Sequence, residues 1–164
     1  MLGELYDFPK ETMSIGRLDE DSEGLLLLST DGKMSFAILS TSVEKEYYVQ
    51  VDGLITDEAI EALQLGVEIG IQGKKYTTQS CKARKIEKPT LPERAKKIRD
   101  ERHGPTSWVS ITITEGKYRQ VKKMTAAVGF PTLRLVRYRV DQMTIENMQA
   151  GEVEEVTETL NAHF

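Results

Sequence analysis

The sequence predicts a single α+β domain in which short helices flank a mixed, mostly antiparallel sheet. Segments with strand character alternate with segments of helical period in the order β-α-β-α-β, and the strands are short. The chain has 164 residues, of which 39% are hydrophobic and 29% charged, a composition typical of a globular domain that buries a real core. We therefore expect residues 1–164 to form one domain.

The individual elements are predicted from the spacing of apolar residues and from the turn residues between them. Runs rich in β-branched and aromatic residues that end at glycine or aspartate indicate strands, whereas apolar residues three and four apart indicate helices. Thr56 and Thr144 are candidate N-caps, and Gly66 and Gly151 are candidate helix ends. Strands are expected over residues 25–29, 47–51, 67–71, 77–84, 108–113 and 132–138, and helices over residues 33–39, 56–65, 118–128 and 144–151.

Residues 87–105 differ from the rest, because they hold three prolines, many charges and few large apolar side chains. This composition predicts an exposed loop, partly helical at most.

Several classes of protein are excluded by what the sequence lacks. The longest apolar run, residues 25–28, is far too short to cross a bilayer, and the first residues do not follow the order of a secretory signal. The single cysteine, Cys81, rules out an internal disulfide and fits a reducing cytoplasm. One cysteine and two distant histidines do not make a zinc site, and no phosphate-binding glycine motif occurs. We expect a cytoplasmic monomer without membrane, metal or cofactor.

The charge distribution favours a nucleic-acid partner, although the net charge is −4. Residues 82–139 contain 16 Lys and Arg against 5 Asp and Glu, while the rest of the chain contains 6 basic and 21 acidic residues. Such asymmetry can place a positive face on an acidic protein, and positive faces attract phosphate backbones. Solvated helix faces and a charged loop explain the same counts equally well.

Three polar clusters are candidates for chemistry. In residues 16–24 a polar turn precedes an apolar strand, so that the carboxylate of Asp19 can be held rigidly with Arg17 two residues away. A surface turn is the simpler explanation of that segment alone. Residues 115–124 open a helix with clustered Lys and Arg side chains, which suits phosphate binding or a solvated face. Tyr47 lies in a strand, where its ring packs in the core or stacks on an extruded base.

Together these clusters resemble the motifs of the pseudouridine synthases, in the branch that modifies ribosomal RNA. Residues 16–29 match the pattern G-R-L-D-x-[DN]-[ST]-x-G-L-L-[LV]-[LM]-[ST], and Lys45, Tyr47 and Val49 match K-x-Y-x-V. Residues 115–124 match E-G-[KR]-x-R-Q-[VI]-[RK]-[RK]-M, and residues 129–137 match the segment that follows it. Within the branch, residues 104–108 and 126–135 are most similar to the E type of 23S rRNA synthase, which lacks an N-terminal S4-like module.

The resemblance implies the fold of the synthase catalytic domain, a ribosomal RNA substrate, 23S in particular, and isomerisation of a uridine to pseudouridine without a cofactor or metal. It implies that Asp19 is the nucleophile, that Tyr47 stacks on the flipped base and serves in proton transfer, and that Lys122 pairs with Asp19. Seven residues are expected to contact the RNA or to position the segments that do: Arg17, Lys117, Arg119, Gln120, Lys123, Arg134 and Arg137.

Two departures from the family pattern leave an alternative open. Only about fifteen residues precede the G-R-L-D motif, so a strand that begins the domain in relatives is expected to be missing, which would leave an unpaired sheet edge. Lys122 stands where relatives often have arginine, which keeps the charge but loses bidentate geometry. The alternative is a catalytically silent RNA-binding paralogue on the same scaffold. The exact uridine is not predicted.

Overall fold

A computed structural model describes residues 6–33, 43–92 and 104–156. Over these residues the chain forms an α+β fold with ten short strands and two helices whose ends are both described, α1 (Asp57–Leu65) and α2 (Gln120–Ala127). The strands are β1 (Met13–Ile15), β2 (Glu23–Gly24), β3 (Leu27–Ser29), β4 (Lys45–Asp52), β5 (Glu68–Ile71), β6 (Lys74–Thr77), β7 (Lys82–Ile86), β8 (Thr106–Ile113), β9 (Thr132–Val140) and β10 (Met143–Thr144).

The central sheet has the strand order β10-β9-β4-β8-β7, and β2 pairs with β9 beside that path. Every pairing is antiparallel except the one between β2 and β9, which is parallel. The sheet is therefore mixed and mostly antiparallel, as predicted. Two smaller two-stranded sheets stand beside it, one formed by β1 and β3 and the other by the hairpin β5–β6.

The main core lies on one face of the central sheet, because alternate residues of each strand point to that face. On β4, Val49 and Val51 are fully buried, and on the neighbouring strand β8 Val109, which pairs with Val49, and Ile111 are fully buried as well. The apolar sides of α1 and α2 cover these residues. A second, smaller cluster of Ile15, Leu27, Val43 and Val140 packs between β1, β3 and the end of β9.

Helix α1 confirms the capping residues predicted from sequence. The Thr56 hydroxyl accepts a hydrogen bond from the Ala59 backbone nitrogen at 3.2 Å, which satisfies one of the free donors of the first turn. Gly66 ends the helix with a φ of 106°, a conformation that favours glycine. Ile60 and Leu63 form the buried side of this helix. No helix in the described parts of the chain is long and apolar enough to cross a membrane.

Two predicted elements are wrong. Residues 77–84 are not one strand, because the chain leaves the hairpin after Thr77 and starts β7 only at Lys82. Residues 144–151 are not a helix. Thr144 belongs to β10, and two separate turns follow, closed by Met148 N to Ile145 O and by Glu152 N to Gln149 O. Asn147, with a φ of 65°, interrupts the helical path between them.

The remaining strand and helix predictions coincide with observed elements within a few residues, apart from those that reach past the described chain. The helix predicted over residues 33–39 and most of the loop predicted over residues 87–105 lie outside the described residues.

Gly24 allows the close approach of β2 to β9. Its φ is 113°, and a Cβ built on it overlaps the backbone oxygen and nitrogen of Arg137. Both the backbone conformation and the space between the strands therefore require glycine at this position.

We expect Gly24→Ala to lower the free energy of unfolding by about 3 kcal/mol, because β2 must move away from β9. Urea unfolding followed by circular dichroism measures this difference. Gly70→Ala is the matched control, since a Cβ at Gly70 meets no atom within 4 Å, and it should change stability little. Equal stability of the two variants would contradict the close packing of β2 on β9.

Candidate active site

The carboxylate of Asp19 lies on a turn between β1 and β2, and we call residues 16–22 the Asp19 turn. The turn is closed by a hydrogen bond from Ser22 N to Asp19 O at 2.9 Å. Ile15 and Leu27, one on either side of the turn, are buried in the smaller core and pair with each other across β1 and β3. This packing fixes both ends of the turn, while the Asp19 side chain stays 21% exposed.

A second set of contacts holds the Asp19 turn to the central sheet. Leu25 N donates to Arg137 O at 2.8 Å, and Arg137 Nε donates to Leu25 O at 2.8 Å. Next to this pair, Arg134 makes a bidentate salt bridge with Glu23, with Nε and Nη2 at 2.9 and 2.8 Å from the two carboxylate oxygens. The turn therefore takes its position from β9 as well as from its own small sheet.

The start of α2 brings two cations to the same turn. Arg119 Nη1 lies 3.4 Å and Lys122 Nζ lies 3.5 Å from Asp19 Oδ2. Both cations are closer to Asp21, with Lys122 Nζ 2.5 Å from Oδ1 and Arg119 Nη2 3.3 Å from Oδ2. Two carboxylates and two cations thus form one cluster, which joins residues about one hundred positions apart in the chain.

The electrostatics of this cluster stabilise the charged form of Asp21. The hydrogen bond from Lys122 has the largest effect and that from Arg119 the next largest. Together they hold the pKa of the Asp21 carboxyl far below its usual range, and burial opposes them only in part. The hydrogen bond to Asp21 raises the pKa of Arg119 in turn. Asp21 therefore holds Lys122 more closely than Asp19 does, while Arg119 lies at similar distances from both carboxylates.

Tyr47 approaches the cluster from β4. Its ring packs against the main core, and burial raises the pKa of its phenol. The guanidinium of Arg137, which also hydrogen-bonds the phenol, lowers the pKa of Tyr47, and the charge of Asp19 raises it by a smaller amount. Tyr48, the next residue, points to the opposite face of the sheet and stacks on Tyr138, with ring centroids 4.3 Å apart.

Four of the seven residues predicted to serve RNA binding lie around the start of α2 and the Asp19 turn. Arg17 and Lys117 are exposed, and Lys117 Nζ lies 5.1 Å from the centre of the Tyr76 ring. Lys123 Nζ donates to Gly70 O at 2.8 Å and lies over the ring of Tyr118 at 5.3 Å. Arg119 is the fourth, half-buried against the two aspartates.

The other three predicted RNA residues have partners inside the protein. Gln120 is buried, and its side chain contacts Lys117 N and Glu115. Arg137 is buried between Leu25 and Tyr47. Arg134 is 11% exposed in its salt bridge with Glu23. Their roles toward RNA stay predictions, and the contacts of this structure favour indirect ones.

Sequence reasoning missed three features of the site. It did not single out Asp21, although the acidic run Asp19-Glu20-Asp21 made a second carboxylate available. It gave no role to Glu115, although this residue begins the matched motif E-G-[KR]-x-R-Q, because the burial of its carboxylate is visible only in the structure. It also missed Lys74 and Lys75, which are exposed on the hairpin β5–β6 beside α2. The described residues contain no group of three or more His, Cys, Asp or Glu side chains arranged to hold a metal ion.

Comparison with known proteins identifies the family to which these features belong. The family model described as RNA pseudouridylate synthase matches residues 3–127, which include the Asp19 turn, Tyr47 and α2. The chain belongs to this family. The resemblance of its motifs to the pseudouridine synthases is thereby confirmed.

Individual relatives and structures agree with this family. The chain is 43% identical over 150 residues to ribosomal large subunit pseudouridine synthase E of Vibrio vulnificus, and 37% identical over 150 residues to the protein of the same name in Xanthomonas campestris. The matches cover 90% of this chain and 62% and 78% of these relatives, so the chain spans about three fifths of the length of the first. A solved structure described as pseudouridylate synthase superposes with a TM-score of 0.74 at 30% identity, over 98% of this chain and 64% of that one.

We expect Asp21→Asn to lower the free energy of unfolding at pH 7 by about 1 kcal/mol, the scale of a partly exposed ion pair. Because the folded-state pKa of Asp21 lies below its ordinary value of 3.8, this stabilisation is complete above that value and is lost as the pH falls through the lower folded-state pKa. Chemical unfolding of both proteins from pH 7 downward measures it. The difference between them should narrow below about pH 4.

Glu61→Gln is the matched control for this prediction, since Glu61 is an exposed carboxylate on α1. It should change stability little at any pH. A pH-independent difference for Asp21→Asn would show that Lys122 and Arg119 do not stabilise the charge of Asp21.

Proposed function

We propose that this protein isomerises a uridine of large-subunit ribosomal RNA to pseudouridine, with Asp19 as the nucleophile. The observation that carries the proposal is the meeting of Asp19, Lys122, Arg119 and Tyr47 at one point, from three separate parts of a chain that belongs to the RNA pseudouridylate synthase family. The names of the relatives support a large-subunit substrate. A substrate of that kind would place the protein in the cytoplasm.

The reaction requires a carboxylate in a fixed position and a proton acceptor close to it. The N1–C1′ bond of the uridine breaks, the uracil rotates within the site, and C5 bonds to C1′. C5 then loses its proton while N1 gains one, so that every atom is retained and no co-reactant is consumed. The Asp19 carboxylate adds to the sugar or to the base in the first step and leaves as the product forms.

The surroundings of Asp19 suit this role. Asp21 takes the shortest contact of Lys122, whereas Arg119 donates to both carboxylates, so one oxygen of Asp19 is oriented by these two cations at 3.4–3.5 Å. The uridine must leave its stack to reach Asp19, and an aromatic ring is the usual support for an extruded base. Tyr47 supplies that ring, and its phenol supplies a group for the proton transfer at C5.

RNA phosphates would lie along the exposed lysines beside the site. We define the basic arm as Lys74, Lys75, Lys117 and Lys123, which lie on the hairpin β5–β6 and at the start of α2. The two elements are held together by the hydrogen bond from Lys123 to Gly70 and by the contact of Lys117 with Tyr76. The hairpin therefore lies against the start of the helix that carries Lys122.

We expect Asp19→Asn to abolish pseudouridine formation while RNA binding and folding are kept, because the substitution preserves size and removes the nucleophilic charge. The test measures pseudouridine in large-subunit rRNA from cells that lack the gene and carry either the native protein or the variant. A catalytically silent RNA-binding protein predicts that neither restores the modification. Substantial activity of Asp19→Asn would show that another group is the nucleophile.

We expect the substitution of Lys74 and Lys75 together by Gln to flatten the salt dependence of RNA affinity. Each lost phosphate contact lowers the slope of log K against log salt by about 0.7–0.9, so a reduction of roughly 1–2 is expected. The matched control replaces Lys82 and Arg84, which point to the opposite face of the sheet beside Glu44 and Glu46. An unchanged slope in the first variant, or an equal change in both, would contradict the role of the arm.

A further inference from the structure

Glu115 is a buried carboxylate that the proposed reaction does not use. It lies two residues after the end of β8, is 4% exposed, and accepts three hydrogen bonds. Oε1 accepts from Gln79 N and from Gln120 Nε2, both at 2.8 Å, and Oε2 accepts from the hydroxyl of Tyr76. The hydrogen bond to this carboxylate raises the pKa of the Tyr76 phenol. One side chain thus joins the hairpin β5–β6 to the first residue of α2.

Helix α2 begins without a side-chain capping hydrogen bond. Its N-cap residue, Arg119, makes no capping hydrogen bond and has the left-handed conformation, with φ 51° and ψ 34°, which is unfavourable for a residue with a Cβ. Instead, Gln120 Oε1 accepts from Lys117 N at 3.1 Å and closes the turn. The amide of Gln120 is held in this orientation by Glu115, which accepts from its nitrogen at 2.8 Å, with a weaker contact of the same nitrogen to the Met124 sulfur at 3.6 Å.

Lys45 strengthens the same link from the neighbouring strand. Its Nζ donates to Thr114 O at 3.1 Å, next to Glu115 in sequence. Burial and then the charge of Arg137 lower the pKa of Lys45, and the charge of Glu115 acts in the opposite direction. The charge of Glu115 thus offsets only part of the desolvation of Lys45, and the hydrogen bond to Thr114 O is the contact by which Lys45 supports the loop that leads into α2.

We propose that Glu115 is a positioning residue for the active site. By holding Gln120 and the hairpin, it sets the start of α2, and through it the side chains of Arg119 and Lys122 at the carboxylates of Asp19 and Asp21. Glu115 touches neither the substrate nor Asp19, and this inference rests on the proposed function. Glu115 acts by holding neighbouring groups in position. Its hydrogen bonds, rather than its negative charge, orient the side chains of Arg119 and Lys122.

Two substitutions separate geometry from charge. In Glu115→Gln the remaining oxygen keeps the hydrogen bonds from Gln79 and Gln120, and the new amide donates to the hydroxyl oxygen of Tyr76, so every link survives without the charge. Glu115→Ala removes all three. Glu46 supplies the matched pair of controls, because it is also a buried carboxylate, bound to Ser110 and Arg139 on the opposite face of the sheet.

The first measurement is the single-turnover rate of pseudouridine formation at saturating rRNA, together with the RNA concentration at half saturation. We expect Glu115→Ala to lower the rate about 100-fold, as a displacement of about 1 Å at a reacting group does, and to leave half saturation within about threefold. Glu115→Gln and both Glu46 variants should stay within about threefold of the native rate. A loss in Glu115→Gln equal to that in Glu115→Ala would overturn the proposal, as would a loss of RNA affinity alone.

The second measurement needs no activity. Carboxyl carbon NMR measures the pKa of Asp21. This pKa should stay well below 3.8 in the native protein, in Glu115→Gln and in the Glu46 variants. In Glu115→Ala the pKa of Asp21 should rise toward 3.8, because Lys122 and Arg119 are no longer held in place. An unchanged titration would overturn the proposal. If the native protein makes no pseudouridine, the proposed function fails, and this titration still tests Glu115.

Thermal unfolding of each variant shows whether it is folded under the conditions used. Should Glu115→Ala not fold, Tyr76→Phe replaces it, since this variant keeps the ring against Lys117 and removes one of the three hydrogen bonds. We then expect a partial loss of the single-turnover rate with an unchanged half saturation. A native rate in Tyr76→Phe would in that case count against the proposal.

Discussion

The position of the Asp19 turn depends on its attachment to strand β9. The turn's own support is a sheet of two three-residue strands over a small core, which is too little to fix a side chain precisely. The reciprocal hydrogen bonds between Leu25 and Arg137 extend that support to the central sheet. Because β9 also pairs with β4, which carries Tyr47, the turn and the tyrosine share one rigid strand pair. The attachment therefore sets the geometry of the whole site.

The second constraint is that the site contains two carboxylates and two cations. A single aspartate facing Lys122 and Arg119 would be drawn into full contact with them, and its oxygens would then be occupied by hydrogen bonds. With Asp21 present, Lys122 makes its shorter contact with Asp21, at 2.5 Å against 3.5 Å to Asp19, and Arg119 donates to both carboxylates. Charge neutralisation and nucleophilic attack can thus be served by different residues.

The sequence predicted the parts of the fold that depend on local patterns. Thr56 and Gly66 predicted the two ends of α1 correctly. Helix capping and a glycine with positive φ depend only on a few residues that are neighbours in the sequence. The same local signals failed at residues 144–151, where Thr144 looks like a cap but already pairs within a sheet, a non-local contact. At the site, the motifs identified Asp19 and Lys122, yet the preference of Lys122 for Asp21 arises from packing between distant segments, which no spacing encodes.

The basic residues of the chain also fall into two groups that sequence alone does not separate. Arg134 and Arg137 contribute to the positive charge of residues 82–139, but their guanidinium groups donate hydrogen bonds to Glu23 and to Leu25 O inside the protein. Lys74 and Lys75 lie outside that segment, and they are exposed beside α2. Arg134 and Arg137 therefore hold the Asp19 turn on β9, whereas Lys74 and Lys75 are available to a phosphate backbone. This division follows from chemistry, because the planar guanidinium forms paired hydrogen bonds with fixed partners, whereas the ammonium group of lysine stays hydrated and adapts to a backbone that moves.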